Sequence, residues 1–361
     1  MQEIVRHTRK RYSKADHVEV EMQRTALLTA LMAAFAVTGF CADWNPKLAA
    51  DYLDSRQKEW FAWPRAKVEG GVCVSCHTGV TYLLARPVLR KALAESQPTV
   101  YEKGLLEGIH AQADAEGNRQ GAEAVFAALF FSFQNAGSKT LSADAKRAFD
   151  RLWSLQIREG KDRGAWKWPN ANHDPWSTPD APFYGASLAV LAVGTAPAEY
   201  RERADVKERI AALTDYLERE RASQPLHNRL ALVWASSKLP AALPAPLRKA
   251  ILDEILRAQQ PDGGWAIASL GPWRPHPEAP PSEGSNSYAT AYVAFILQQA
   301  GVSRSDKAVA RALDWLRAHQ DRESGSWAAD SLNSRHEPDS MQFRFMQDAA
   351  TAFASLALLG K

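Results

Sequence analysis

The stretch LRAQQPDGGW at residues 256–265 joins a helix end, a glycine turn and a tryptophan, and related stretches recur along the chain. The copies are LWSLQIREGKDRGAW at residues 152–166 and LRAHQDRESGSW at residues 316–327. Each copy places a glutamine four residues after a leucine, at Gln156, Gln260 and Gln320, and then ends on Gly-x-Trp or Gly-Trp. A unit that recurs in this way indicates a fold assembled from repeated supersecondary units.

An apolar helix rich in small residues follows each tryptophan after a polar loop. These helices are predicted at residues 183–194, 287–297 and 348–359. Because they are apolar on nearly every face, they are expected to lie inside the protein. A fainter copy opens the repeat region, with Gln57, Trp60 and an apolar helix that follows Cys76.

Two further helix pairs fit between these copies, near residues 98–136 and 203–237, each with a charged amphipathic helix before an apolar one. No stretch of the sequence shows the sustained alternation of a sheet strand. About six outer and six inner helices that close on themselves would bury the inner set without leaving ends to cap. The sequence therefore predicts an all-α fold, an (α/α)6 toroid of about six helix pairs, with an open solenoid or bundle as the alternative.

The three copies resemble the QW repeats of squalene-hopene cyclases and related prenyltransferase-like toroids over most of residues 48–360. The resemblance implies that the Gln and Trp residues brace the outer surface and perform no chemistry. Cyclases of this class protonate their substrate with an Asp-x-Asp-Asp motif, and this sequence contains no two consecutive aspartates. Cyclase activity is therefore not implied. Zinc-dependent prenylation is not implied either, because Cys73 and Cys76 lie only three residues apart.

The first 42 residues read as an N-terminal extension and signal peptide. The run Ala26–Phe40 is apolar but too short to span a bilayer comfortably, and it is typical of the hydrophobic part of a signal peptide. We therefore expect a mature chain that starts near residue 43, forms the toroid over residues 43–361, and is periplasmic or secreted without a transmembrane span. The formal net charge of +3 gives no reason to expect nucleic acid.

The sequence Cys73-Val74-Ser75-Cys76-His77 matches the attachment motif for haem c. In that motif two thiols attach the haem covalently, and the histidine becomes the proximal iron ligand. The motif predicts haem c as a covalent cofactor held by Cys73, Cys76 and His77. A local disulfide, a redox pair and half of a zinc site remain as alternatives.

The sixth iron ligand is not evident from the sequence. No methionine lies between Met32 and Met341, which is unlike a small cytochrome c. The candidates for the distal position are Met346, Met341 and His110. His173 and His276 are weaker candidates, because both lie in proline-rich loops that are usually solvated.

Alignment of the repeats places His77, Phe183, Ser287 and Asp348 at the entrances of inner helices, which predicts that they face the rim of a central cavity. The side chains expected to line the cavity are Phe183, Tyr184, Tyr288, Tyr292 and Asp348. Aromatic side chains at these positions suit an apolar isoprenoid tail or a haem edge, although core packing alone also explains most of them.

Three functions follow as hypotheses. The first is an exported haem c protein that serves electron transfer, with a periplasmic redox partner, or haem-assisted oxidation. The second is a protein that binds or transforms an isoprenoid or triterpenoid and uses Cys73 and Cys76 structurally. The third is a scaffold protein. The sequence leaves open whether the chain has any catalytic activity.

Overall fold

The computed structural model describes residues 44–113, 116–117, 119–273, 284–333 and 335–360. The predicted signal peptide and mature start lie outside the described residues, and so does His276. None of the helices in the described ranges has both the length and the apolar composition needed to cross a membrane.

The described residues form six helix pairs, as the sequence predicts, with an outer and an inner helix in each. The outer helices are α1 (Pro46–Ala62), α3 (Val100–Gln112), α5 (Ala143–Leu155), α8 (Ala204–Glu220), α10 (Ala245–Arg257) and α12 (Lys307–Ala318). The inner helices are α2 (Gly79–Ala92), α4 (Gln120–Gln134), α6 (Ala181–Thr195), α9 (Leu226–Ser236), α11 (Ser287–Gln299) and α13 (Phe345–Leu359). A short helix, α7 (Ala198–Arg201), precedes α8.

The inner helices pack side by side in the order α4, α6, α9, α11, α13 and α2, so the last pair meets the first. This arrangement confirms the predicted all-α toroid. Between α1 and α2 the chain forms a small antiparallel hairpin of β1 (Lys67–Val68) and β2 (Gly71–Val72), which packs on α3. Short 3-10 turns occupy Pro64–Ala66, Arg221–Ser223, Pro240–Ala242, Ile267–Ser269 and Met341–Arg344.

The two kinds of helix follow from their residue patterns. In the outer helix α12 the buried residues include Val309, Ala312, Leu313 and Leu316, which form one stripe at helical spacing. Asp306 starts this helix, because its side chain accepts a hydrogen bond from a free N–H of the first turn. The inner helix α6 is buried from Ala181 to Val193 at nearly every position, as expected for a helix that is apolar all round.

Repeat glutamines tie each outer helix to the next one. Gln156 Nε2 donates to the carbonyl of Gly164 and to the carbonyl of Arg209 on α8, at 3.1 Å each. Gln320 Nε2 donates to the carbonyls of Gly325 and Asn45, which links the last repeat to the start of α1. This bracing role is the one expected from the sequence.

The middle repeat differs from the expected register by one residue. Gln259, and not Gln260, donates to the carbonyls of Gly263 and of Ala308 on α12, at 2.8 Å each. The spacing of four residues is kept, because Ile255 takes the buried place expected for Leu256 and accepts from Trp265, and Gln259 stands four residues after Ile255. The repeat tryptophans are structural as well, since Trp166, Trp265 and Trp327 each donate to a carbonyl near the end of their own outer helix.

Candidate functional site

Two side chains of α1 position the loop that carries the Cys-x-x-Cys-His motif. Gln57 Nε2 donates to the carbonyl of Thr78 at 2.9 Å, and Trp60 Nε1 donates to the carbonyl of Cys73 at 2.8 Å. At the end of the loop Ser75 Oγ accepts from the backbone N–H groups of Thr78 and Gly79, which starts helix α2. The motif is thus held at the entrance of an inner helix.

The motif borders a cavity of about 240 Å³, called here the motif cavity. Its lining combines aromatic rings, neutral hydrogen-bonding side chains and three histidines. The lining residues are Ser75, Cys76, His77, Arg119, Ala122, Phe126, Pro169, His173, Asp174, Trp176, Ser177, Ser331, Asn333, His336, Gln342, Phe345 and Met346.

The two cysteines are free thiols, so the structure does not contain the disulfide that the sequence left open. Cys73 is buried, and Cys76 is half-buried at the motif cavity. Burial raises the pKa of Cys76 to about 12 and raises the pKa of Cys73 as well, although Arg119 opposes both shifts. Both groups are therefore protonated at neutral pH, which makes them poor nucleophiles and metal ligands as they stand.

His77 is enclosed by aromatic rings at the cavity wall. Its ring stacks on Phe345 with a centroid distance of 3.7 Å and meets Trp60 edge-on at 5.7 Å. Burial lowers the pKa of His77 to about 3, and the positive charges of Arg119 and Arg56 lower it further. The imidazole is therefore neutral at physiological pH.

The structure places some of the candidate distal ligands at the motif cavity and others away from it. Met346 lines the motif cavity with His77, and so does His173. Met341 is not among the lining residues, and its carbonyl accepts a hydrogen bond from Arg56 Nη2. The prediction of His110 is inconsistent with the structure, because α3 is an outer helix and His110 contacts Asp144 and Arg147 on the exposed face.

The aromatic residues expected in the cavity pack in the core instead. Phe183, Tyr184, Tyr288 and Tyr292 are at most 2% exposed, and none lines the motif cavity. The small residues of the inner helices let the helices approach closely, so these large rings fill the space between them. No apolar chamber that would suit an isoprenoid is formed by these side chains.

At the centre of this cluster lies His227, which sequence reasoning missed. Its ring stacks on Tyr184 and Tyr292, and its Nε2 lies 2.8 Å from the hydroxyl of Tyr288. The signal available in the sequence was a histidine inside the apolar segment Leu226–Trp234. Burial lowers the pKa of His227 to about 4.

His227 is expected to make the fold sensitive to acid. Its pKa rises from about 4 in the folded state to the ordinary 6.5 on unfolding, so the unfolded chain binds more protons and stability falls as pH drops below 6.5. At pH 5 the loss from this residue is about 2 kcal/mol. Urea unfolding at pH 7 and at pH 5 measures this loss in the free energy of unfolding. Between these two pH values, His227→Gln should lose about 2 kcal/mol less than the wild-type protein. An equal loss in both proteins would contradict the assignment.

Asp348 does not line the motif cavity but lies buried behind it. Its carboxylate accepts from Arg56 Nε at 2.7 Å, from the hydroxyl of Tyr52 at 2.9 Å and from the hydroxyl of Thr78 at 2.7 Å. Burial raises the pKa of Asp348, and the guanidinium and both hydroxyl donors act against that shift. Asp348 thus joins the last inner helix to the first outer helix and to the motif loop.

Comparison with solved structures finds similarity to inactive variants of the α-1,6-mannanase GH76A of Salegentibacter sp. HEL1_6. The complex with α-1,6-mannotetraose has a TM-score of 0.50, with 14% identity over 87% of this chain and 99% of that chain. The complex with α-1,6-mannotriose has a TM-score of 0.48, with 14% identity over 87% of this chain and 100% of that chain. At this identity the likeness concerns the fold alone. No protein-family model matches the chain, and no curated protein matches it.

The fold comparison corrects the assignment to squalene-hopene cyclases and prenyltransferases, which is wrong: the solved structure with the TM-score of 0.50 is an α-1,6-mannanase. The predicted function, a haem c protein on a cyclase-like toroid that serves electron transfer or oxidation, is wrong on the same comparison. The isoprenoid alternative finds no support in the structure, because Phe183, Tyr184, Tyr288 and Tyr292 pack in the core and do not line the motif cavity. Within the described ranges no group of three His, Cys, Asp or Glu side chains is placed to hold a metal ion, so a zinc site at Cys73 and Cys76 finds no further ligands.

Proposed function

We propose that the motif cavity binds one end of an uncharged oligosaccharide. The observation that carries the proposal is the pairing of aromatic rings, Trp176 and Phe345, with the amide side chains of Asn333 and Gln342 in one cavity. A sugar ring has apolar C–H faces that pack on aromatic rings, and its hydroxyl groups donate and accept hydrogen bonds. Amide side chains match those hydroxyls, because each has donor and acceptor capacity. Asn333 uses one N–H and one lone pair on the backbone of Asp174 and keeps one of each.

The charge of the lining favours an uncharged ligand. Asp174 is the one carboxylate and Arg119 the one guanidinium among the described residues that line the cavity. Burial lowers the pKa of His77 to about 3 and lowers that of His336, so neither carries charge at neutral pH. The two opposite charges balance, and a ligand with net charge gains no attraction from the site.

The size of the cavity suits one sugar ring, and a neighbouring groove offers room for the next. A groove of about 580 Å³ shares Asp174 with the motif cavity and continues to Gln224, Arg229 and Trp273. The fold neighbour with the TM-score of 0.50 is in complex with α-1,6-mannotetraose, which makes this sugar the first probe.

The proposal is limited to binding. Most glycoside hydrolases use two carboxylates that flank the scissile bond. The neighbour is an inactive variant in which two aspartates with consecutive numbers are replaced, and this sequence contains no two consecutive aspartates. Among the described residues that line the motif cavity, Asp174 is the one carboxylate.

Isothermal titration with α-1,6-mannotetraose and a panel of other uncharged oligosaccharides tests the proposal. Binding is expected at one site per chain, and Trp176→Ala should weaken it about tenfold or more by removing the stacking surface. Trp315→Ala is the matched control, because Trp315 on α12 is as buried as Trp176 but does not line the cavity. No binding by any sugar, or equal weakening in both variants, would contradict the proposal.

Covalent haem c on Cys73, Cys76 and His77 stays a prediction, and it receives no support from the cavity. Haem is a rigid macrocycle larger than drug-sized ligands, which already occupy pockets of roughly 300–1,000 Å³. A cavity of about 240 Å³, with Phe345 stacked on His77, does not fit it. A pyridine haemochrome spectrum of protein matured in a periplasm decides the question.

We also propose that the chain is exported to the periplasm or secreted. The apolar segment Ala26–Phe40 supports this. Cell fractionation of the full chain, compared with a chain that starts at residue 43, tests it.

A further inference from the structure

We propose that Asp348 acts through Thr78 as a positioning residue that fixes the tautomer of His77, so that Nε2 is a hydrogen-bond acceptor for the ligand. The inference rests on the proposed oligosaccharide site, and it names His77 Nε2 as the group that would select a hydroxyl of the sugar. Asp348 and Thr78 do not touch the ligand in this scheme, since neither faces the motif cavity.

The first step is the direction of the Asp348 to Thr78 hydrogen bond. Asp348 is fully buried and pairs with Arg56, whose Nε and Nη2 lie 2.7 Å and 3.3 Å from its two oxygens. A carboxylate that neutralises a guanidinium only accepts hydrogen bonds. The Thr78 hydroxyl, 2.7 Å from Asp348 Oδ2, must therefore be the donor.

The second step concerns the hydrogen bond from Thr78 to His77. A threonine hydroxyl has one proton, and Thr78 has committed it to Asp348. Its oxygen lies 2.8 Å from His77 Nδ1, and it can only accept there. Ser75 Oγ also lies near Nδ1, but at 3.4 Å it is at the limit of a hydrogen bond, and the closer Thr78 oxygen decides the proton's place. Nδ1 then carries the ring proton, and a neutral imidazole has no second N–H.

The third step concerns the other ring nitrogen of His77, Nε2, and what it offers to a ligand in the motif cavity. No hydrogen bond to His77 Nε2 occurs among the described residues. With the proton held on Nδ1, the lone pair is on Nε2 of a ring that lines the motif cavity together with Trp176 and Phe345. It accepts from a ligand hydroxyl and disfavours a carbonyl or carboxylate at that place, because two acceptors facing each other are left without a proton. The two hydrogen bonds that join Asp348, Thr78 and His77 thereby make His77 a specificity determinant.

Long-range ¹H–¹⁵N spectra of the imidazole signals test the tautomer without any sugar. In the wild-type protein His77 should show a protonated Nδ1 and an unprotonated Nε2. Thr78→Val should shift this equilibrium toward Nε2–H, and Thr78→Ser, which keeps the hydroxyl, should restore the wild-type spectrum. His319, whose Nδ1 lies 2.7 Å from the carbonyl of Trp315 on an outer helix, is the internal control and should not change.

A wild-type spectrum with the proton on Nε2, or an unchanged tautomer in Thr78→Val, would overturn the inference. Should Thr78→Val fail to fold, the wild-type spectrum and Thr78→Ser still decide it. Thr78→Val should also weaken sugar binding about tenfold, the loss expected for one hydrogen bond. If no sugar binds but the tautomer is as stated, the proposed function fails and the positioning role remains.

Discussion

Replacing Asp348 by alanine is expected to lower the free energy of unfolding by about 3–5 kcal/mol, the usual result of breaking a buried ion pair by removing one partner. The variant removes the fully buried charge partner of Arg56, whose side chain is 1% exposed, and leaves the guanidinium with the half-exposed carboxylate of Glu59 and the carbonyl of Met341. It also removes the acceptor for Tyr52 and Thr78. Urea unfolding measures the loss.

The matched control is Asp51→Ala on the same outer helix that carries Arg56. Asp51 pairs with Lys47 across one helical turn, and both side chains are more than half exposed. An exposed pair of this kind contributes about 0.5 kcal/mol or less. Similar losses in the two variants would show that the buried pair does not fasten the first helix pair to the last.

Gly325→Ala is expected to destabilise the protein by about 3 kcal/mol, because two costs add. Gly325 has φ +76°, a conformation that costs a residue with a side chain roughly 1–2 kcal/mol. A methyl group there would also collide with the backbone of Leu48 on α1, and such overpacking costs typically 1–3 kcal/mol. The glycine lies where the last repeat meets the first, so the collision opens the ring at its closure.

Gly301→Ala separates the two costs. Gly301 has φ +89°, but a Cβ there meets nothing within 4 Å, so only the backbone cost of roughly 1–2 kcal/mol applies. Thermal or urea unfolding of both variants gives the difference. A loss at Gly325 no greater than at Gly301 would contradict close packing between the last repeat and α1.

The repeat units could be predicted from the sequence because their signals are local and recur. The glutamine, the glycine turn and the tryptophan stand close together in each copy, and the apolar helix that follows is visible in its composition. Six pairs and their inner and outer order followed from this. The exchange of Gln260 for Gln259 shows the limit, since the adjacent pairs Ile255-Leu256 and Gln259-Gln260 fit the repeat in two registers and only the packing of Ile255 decides between them.

The lining of the cavity could not be predicted in the same way. The alignment of helix entrances predicts Phe183 and Asp348 at a rim, but it does not show how deeply each entrance is buried. His77 reached the cavity as expected, whereas His336 and Asn333 come from a loop whose position depends on contacts far away in the sequence. One such contact joins Asn333 to the backbone of Asp174, 159 residues away.

The motif Cys73 to His77 predicts a haem c site because the pattern is specific in exported proteins. In the structure the motif borders the motif cavity, and His77 Nδ1 lies 2.8 Å from the hydroxyl of Thr78. A sequence motif cannot report the volume beside it, and here that volume is small.

The central claim, an oligosaccharide site at the motif cavity, is tested most directly by following the histidine signals during a sugar titration. His77, His173 and His336 line the cavity, whereas His110 and His319 lie on outer helices. Addition of the best-binding sugar from the panel should shift the three cavity histidines in proportion to occupancy and leave the two outer ones unchanged. Shifts confined to the outer histidines, or no shifts at saturating sugar, would contradict the claim.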